Sequence, residues 1–248
     1  VQVEAFAIRL RQRSPMEAAD LGVRLCQHAA PSVFKCYLAV AIPLMAFTLA
    51  SFEIAPWIPT LALWWAKPWL DRTILFVLAR AAFGQATTIR DVWQAQRQVW
   101  WGQLLRTLTT RRLSPWRSFT QPVYQLEGLK GVRLRKRIRQ IRVGKSGPAL
   151  LMTSAFATVE LVVTISLLSL AIWFAPKGYA PDIWELLRGE TAAQIQLAIA
   201  VAYTVTVAVI EPFYVGAGFA MYLNRRVELE AWDVEQEFRR ANFAQTAK

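Results

Sequence analysis

The sequence predicts an all-α integral membrane helical bundle of about four spans, with amphipathic interfacial helices and both termini cytoplasmic. Three observations point there. Hydrophobic residues make up 55% of the 248 positions and gather in long blocks rather than at core-forming periodicity, the distribution of a chain partly solvated by lipid. Trp occurs 11 times, and indole rings favour the headgroup boundary, where an apolar body and a polar N–H are both accommodated. The net charge of +12 is carried wholly by positions 85–146, where 14 Lys/Arg stand against Asp91 and Glu127. A basic excess this local reads as a cytoplasmic loop at an anionic membrane surface.

Residues 1–31 read as a cytoplasmic interfacial N-terminal helix. Ser14 is placed as its cap, Pro15 at the first helical position and Glu17 three residues after the cap, a capping box. Met16, Leu21, Val23 and Leu25 give a partly apolar face, which suits either the membrane surface or packing on the bundle. Residues 32–84 form the first membrane hairpin. Ser32 to Phe52 is long enough for a core of ~30 Å at ~1.5 Å per residue. Glu53, Pro56 and Pro59 mark an exterior turn, and Trp57 to Phe83 returns to the cytoplasm. Pro68 is expected to kink that span or divide it, leaving open a re-entrant first half.

Residues 85–146 are the basic cytoplasmic insertion. Thr87 or Thr88 caps a segment in which Ile89, Val92, Trp93, Val99, Trp100 and Leu104 recur at helical spacing, predicting one amphipathic interfacial helix. "LSPWRSFTQPVYQLEGLKG" is rich in Pro, Ser and Gly and reads as an ordered loop. "VRLRKRIRQIRVGK" reads as a basic helix running up to the third span. Lys130, Arg133, Arg135, Lys136, Arg137, Arg139 and Arg142 are therefore candidates for binding lipid headgroups or a partner, at about 1 kcal/mol per cation near an anionic leaflet. The same charges also serve as topology determinants.

Residues 147–222 form the second hairpin, with spans from Ala149 to Phe174 and from Ala193 to Tyr222 joined by the exterior loop "APKGYAPDIWELLRGET". The small residues of "GAGFA" suit close helix contact. Residues 223–248 complete the chain as a charged cytoplasmic helix with Arg226/Glu230 and Glu235/Arg239 at pairing distance. Lys/Arg counts put the N-terminus, the insertion and the C-terminus on one side, the cytoplasm. The first thirty residues are charged and lack an apolar core, so no signal peptide is read there. A start at Val1 points to a lost initiator or an upstream segment.

Charges inside the spans are the main functional signal: Lys67, Asp71, Arg72, Glu160 and Glu211. Each would cost roughly 2.5–3.5 kcal/mol at the bilayer centre on insertion scales. Counted from Phe83, Ala149 and Tyr222, the residues Arg72, Glu160 and Glu211 lie equally deep, about 16 Å at helical rise. They are expected to meet in an intramembrane charge cluster, with Lys67 and Asp71 pairing in their own helix or joining it. The cluster reads either as a helix-register clamp or as a substrate or proton site. Glu211-Pro212 favours the second reading, since Pro212 frees a carbonyl one turn earlier.

Other chemistries find no support in the residues. Cys26 and Cys36 read as reduced thiols, and with His28 they make no zinc spacing, so no metal and no cofactor is expected. There is no nucleophile elbow and no phosphate loop, hence no catalytic residue and no enzyme assignment. "RLRKRIRQIR" abuts a span through Pro148, where phospholipid competes, which argues against nucleic acid. The expected partners are anionic phospholipid of the membrane and a protein partner or homo-oligomer. The leading expectation is a scaffold or accessory subunit with a basic cytoplasmic face; the alternative is a lipid or small-solute transporter component using the buried charges.

"SPMEAADLG", "LWWAKPWLDRTILFVLARAAFG", "LSPWRSFTQPVYQLEGLKG" and "EPFYVGAGFAMYLNRRVELEAWDVEQEFRR" resemble an uncharacterised family of proteobacterial inner-membrane proteins. Its genes often lie near those for MoxR-type ATPases, von Willebrand factor A-domain proteins and transglutaminase-like proteins, and some longer members continue into a further C-terminal domain. There is looser similarity to membrane domains attached to glycerophosphodiester phosphodiesterases. The resemblance implies an inner-membrane bundle without a settled activity. Lys67, Pro68, Asp71, Arg72, Glu211 and Pro212 fall in its motifs; Glu160 does not.

Overall fold

The computed structural model describes residues 12–102, 104–109, 111–174 and 193–230, and every regular element among them is helical. These elements are α1 (Pro15–His28), α2 (Ala30–Ala50), α3 (Ile58–Ala81), α4 (Ile89–Gln94), α5 (Leu104–Leu108), α6 (Arg117–Gln125), α7 (Gly131–Arg142), α8 (Ser146–Trp173) and α9 (Ala193–Glu230). A single 3-10 turn, Ser51–Glu53, follows α2, and a π turn, Arg97–Trp101, precedes α5. The exterior loop and the Glu235/Arg239 pair lie outside the described residues.

Among the described residues, three helices are long and apolar enough to cross a membrane, over Ala30–Glu53, Ser146–Leu170 and Ile195–Glu230. The 24-residue α3 is also long enough, but its charges keep it out of that group, and it lies at the centre of the bundle between α2 and α9. Lys67, Asp71 and Arg72 are buried along with Leu63, Leu70, Ile74, Leu75 and Leu78. Of the two effects expected at Pro68, a kink or a division, the division does not occur: α3 runs unbroken through it. Proline removes one ladder hydrogen bond, and the packed neighbours hold the helix together.

The N-terminal helix packs on the bundle. Ser14 accepts from the Glu17 N–H at 3.2 Å, the cap half of the expected box, while the Glu17 carboxylate pairs with Arg13 at 3.3 Å. Ala18, Ala19, Gly22, Leu25 and Cys26 are buried, and the longest contact of α1 is with α9. Asn224 of α9 fastens its entry, accepting from the Arg13 N–H and donating to the Arg13 carbonyl, both at 2.9 Å.

The basic insertion departs most from expectation. The single amphipathic helix predicted from Ile89 to Leu104 is divided into α4, the π turn and α5, because Gly102 takes an extended conformation (ψ 112°) that ends the turn. Of the two expected caps Thr88 is the one used, and it forms a capping box: it donates its N–H to Asp91 Oδ2 at 2.9 Å and accepts from the Asp91 N–H at 3.3 Å. The backbone N–H of Thr88, and then its hydroxyl, hold the Asp91 carboxyl below its ordinary pKa. The segment predicted as an ordered loop contains α6, and all nine of its residues are buried.

Candidate functional site

Five charged side chains from four helices form an alternating line at the centre of the bundle. In α3, Lys67 Nζ lies 2.6 Å from Glu160 Oε2 of α8 and 2.7 Å from Glu211 Oε2 of α9. Arg117, the first residue of α6, reaches Glu211 Oε1 with Nη2 at 2.8 Å and Asp71 Oδ2 with Nε at 2.9 Å. The order is thus Asp71, Arg117, Glu211, Lys67, Glu160. Each ion pair in it joins opposite signs, the condition under which such groups persist in low dielectric. Among the acids of the line, side-chain exposure rises from 0% at Asp71 and 2% at Glu211 to 20% at Glu160.

Of the residues placed in the cluster by sequence, Lys67, Asp71, Glu160 and Glu211 come together, and Arg72 does not. Its guanidinium donates to the Gln98 carbonyl at 2.8 Å, to the Gly102 carbonyl and to Thr107 Oγ1 at 3.2 Å. Arg72 thereby caps the π turn and anchors the α4–α5 segment to α3. The reason is rotational: adjacent residues on a helix point about 100° apart. Asp71 and Lys67, four apart, share the face toward α8 and α9, which leaves Arg72 facing away from it. Arg117 takes the expected place of Arg72.

The position of Arg117 depends on close packing. A Cβ on Gly218 of α9 would stand 2.3 Å from Ser118 Oγ and 2.6 Å from its carbonyl carbon. Only a residue without a side chain lets α6 lie this near α9. Gln125, at the other end of α6, donates to the Arg72 carbonyl at 2.7 Å. The sequence marked this segment as a loop because Pro115, Ser118 and Pro122 are turn residues. A usable signal was available, though. With Arg72 rotated off the shared face, Lys67 alone opposes three acids, and a further cation has to come from elsewhere.

Beside the line lies a pocket of about 480 Å³, bounded by α3, the 112–117 segment, α8 and α9. Glu160 is the one carboxylate in its wall, where Lys67, Arg112 and Arg117 supply the cations. Arg112 is buried, stacked at 3.6 Å over the Trp64 ring, and makes no ion pair among the described residues. Burial lowers its pKa to about 10, with Arg117 acting in the same direction, so it remains charged at neutral pH.

The basic helix α7 presents Lys130, Arg133, Arg135, Lys136 and Arg139 as exposed residues. Arg137 and Arg142 do different work. Arg137 pairs with Glu127 at 3.1 Å and with Glu230, tying α7 to the end of α9, and Lys145 adds a pair to Glu228 at 2.8 Å. Arg142 stacks at 3.5 Å over the Trp116 ring. A second hollow of about 480 Å³ lies against α7, lined by Arg135, Arg139, Arg142 and Ser146 among others.

No family model, curated protein or solved structure matches this chain.

Proposed function

We propose that this chain is a non-enzymatic, multi-pass protein of the bacterial inner membrane, a scaffold or accessory subunit whose cytoplasmic face is seated on anionic phospholipid. In this reading α3 is a fourth crossing beside α2, α8 and α9, and both termini are cytoplasmic. The observation that carries it is the hollow against α7. Arg135, Arg139 and Arg142 converge there at the foot of α8, where Ser146 begins the apolar run. That is the level at which a lipid phosphate would sit, and arginine suits phosphate geometrically as well as by charge. The nearby acids do not neutralise this surface, because Glu127, Glu228 and Glu230 are engaged by Arg137, Lys145, Arg225 and Arg226.

Amide exchange across residues 131–143 tests the proposal in nanodiscs. Exchange is expected to slow several-fold when phosphatidylglycerol is added to phosphatidylcholine, and replacing Arg133, Arg135, Lys136 and Arg139 with Gln is expected to remove the difference. Equal exchange in the two lipids would sink the lipid seat. A protein partner recovered from native membranes only when those four arginines and lysines are intact would move the assignment to protein docking.

A further inference from the structure

The pocket beside the charge line carries two opposite charges on one lining. The line holds Lys67 and Arg117 against Asp71, Glu211 and Glu160, one acid in excess. In the pocket wall Glu160 stands with Lys67, Arg112 and Arg117. A dipolar occupant can meet both signs of that wall, whereas a singly charged one leaves one of them unmet in a low-dielectric site.

The wall offers both donors and an acceptor. Arg112 Nε is a buried donor without a hydrogen-bond partner, and Thr153 Oγ1 of α8 is a buried hydroxyl in the same state. Both line the pocket and suit an acceptor such as phosphate. Glu160, the most exposed acid of the line, faces the same space and suits a primary ammonium. Each aromatic ring of the wall already has a neighbour: Arg112 lies over Trp64, Lys67 lies 5.9 Å from the Tyr203 ring centre, Arg117 lies 5.4 Å from that of Tyr214, and Phe156 meets Tyr214 edge-on at 5.7 Å. A quaternary ammonium, which depends on open ring faces, is therefore poorly served.

The rest of the lining is apolar, with Phe156, Ala157, Leu161 and Ile210 from α8 and α9. Leu161 and Leu113 at its rim are 60% and 72% exposed, on a side where α8 shows Val159, Val162 and Ile165 outward. The opening thus faces the surface that lipid chains would cover. A volume near 480 Å³ falls within the usual range for small-ligand sites, roughly 300–1,000 Å³.

We infer that this pocket receives a zwitterionic phospholipid with a primary ammonium headgroup, its phosphate on Arg112 and Thr153, its ammonium on Glu160 and its chains leaving past Leu113 and Leu161. The site is separate from the α7 surface, so the two assignments stand or fall independently. Thr153 lies about 10 Å along α8 from Ser146 at helical rise, which places the headgroup below the plane of its neighbours.

The test is native mass spectrometry of the full chain released from nanodiscs containing equal amounts of phosphatidylethanolamine, phosphatidylglycerol and phosphatidylcholine. Retention of phosphatidylethanolamine above the other two is expected, with loss of several-fold in Arg112→Gln and partial recovery in Arg112→Lys. Glu160→Gln is expected to reverse the preference toward phosphatidylglycerol, a change of selectivity that misfolding does not produce. Replacing Arg133, Arg135, Lys136 and Arg139 with Gln should leave phosphatidylethanolamine retention unchanged. Equal retention of phosphatidylethanolamine and phosphatidylcholine, insensitivity to both pocket substitutions, or displacement by soluble phosphoethanolamine at matched concentration would each overturn the inference.

Discussion

Arg117→Met is expected to destabilise the protein by about 3–5 kcal/mol, the range for removing one partner from a buried ion pair. Asp71 has 0% side-chain exposure and Arg117 as its ion-pair partner, so the substitution strands a carboxylate in the centre of α3. Glu211 keeps Lys67 and is less affected. Methionine approximates the arginine stem in volume, so the loss reports charge rather than packing. Thermal unfolding in detergent gives the measurement, and Asp71→Asn in the same chain supplies the control. The double variant should regain a large part of the loss, because both members of the pair are then gone. Additive losses would show that the two side chains are not coupled.

Gly22→Ala is expected to cost about 3 kcal/mol, the upper end of overpacking effects, although alanine is the better helix former by about 1 kcal/mol. A Cβ at this position would stand 2.1 Å from the Gly216 carbonyl oxygen, 2.6 Å from its carbon and 2.8 Å from Ala217 Cα. All three are backbone atoms, so no rotamer change relieves the clash, and α1 has to move away from α9. Gly147→Ala in α8 meets nothing within 4 Å and should be neutral or slightly stabilising under the same assay. A similar melting temperature for both variants would mean that α1 rests on α9 more loosely than its buried face indicates.

The apolar runs made the long helices legible, and α2, α8 and α9 begin within about three residues of where hydropathy placed them. Local chemistry was equally readable: the Ser14 cap, the cap at Thr88 and the basic helix α7 depend only on residues near one another in sequence. Lys67, Asp71, Glu160 and Glu211 stood out because charge in an apolar run demands a partner. Depth along each helix placed them at a common level but carried no information about rotation, which is how Arg72 was assigned to the wrong face. Arg117 was hidden for another reason. It belongs to a short helix whose burial comes entirely from tertiary contacts, above all the close approach of Ser118 to Gly218, and its own composition is that of a turn.

The seating of α6 also sets an order of events during synthesis. Arg117 and Glu211 are 94 positions apart, a delay on the order of 5–20 s at ordinary translation rates. Until α9 has been made, the cationic end of α6 has no Glu211 to meet and no Gly218 to rest on, so an earlier segment must wait for a later one. A ribosome-held chain stopped before α9 should therefore leave a Ser118→Cys thiol open to a water-soluble maleimide, and the finished protein should shield it. In this molecule a stretch that emerges late is the keystone that locks an earlier one in place.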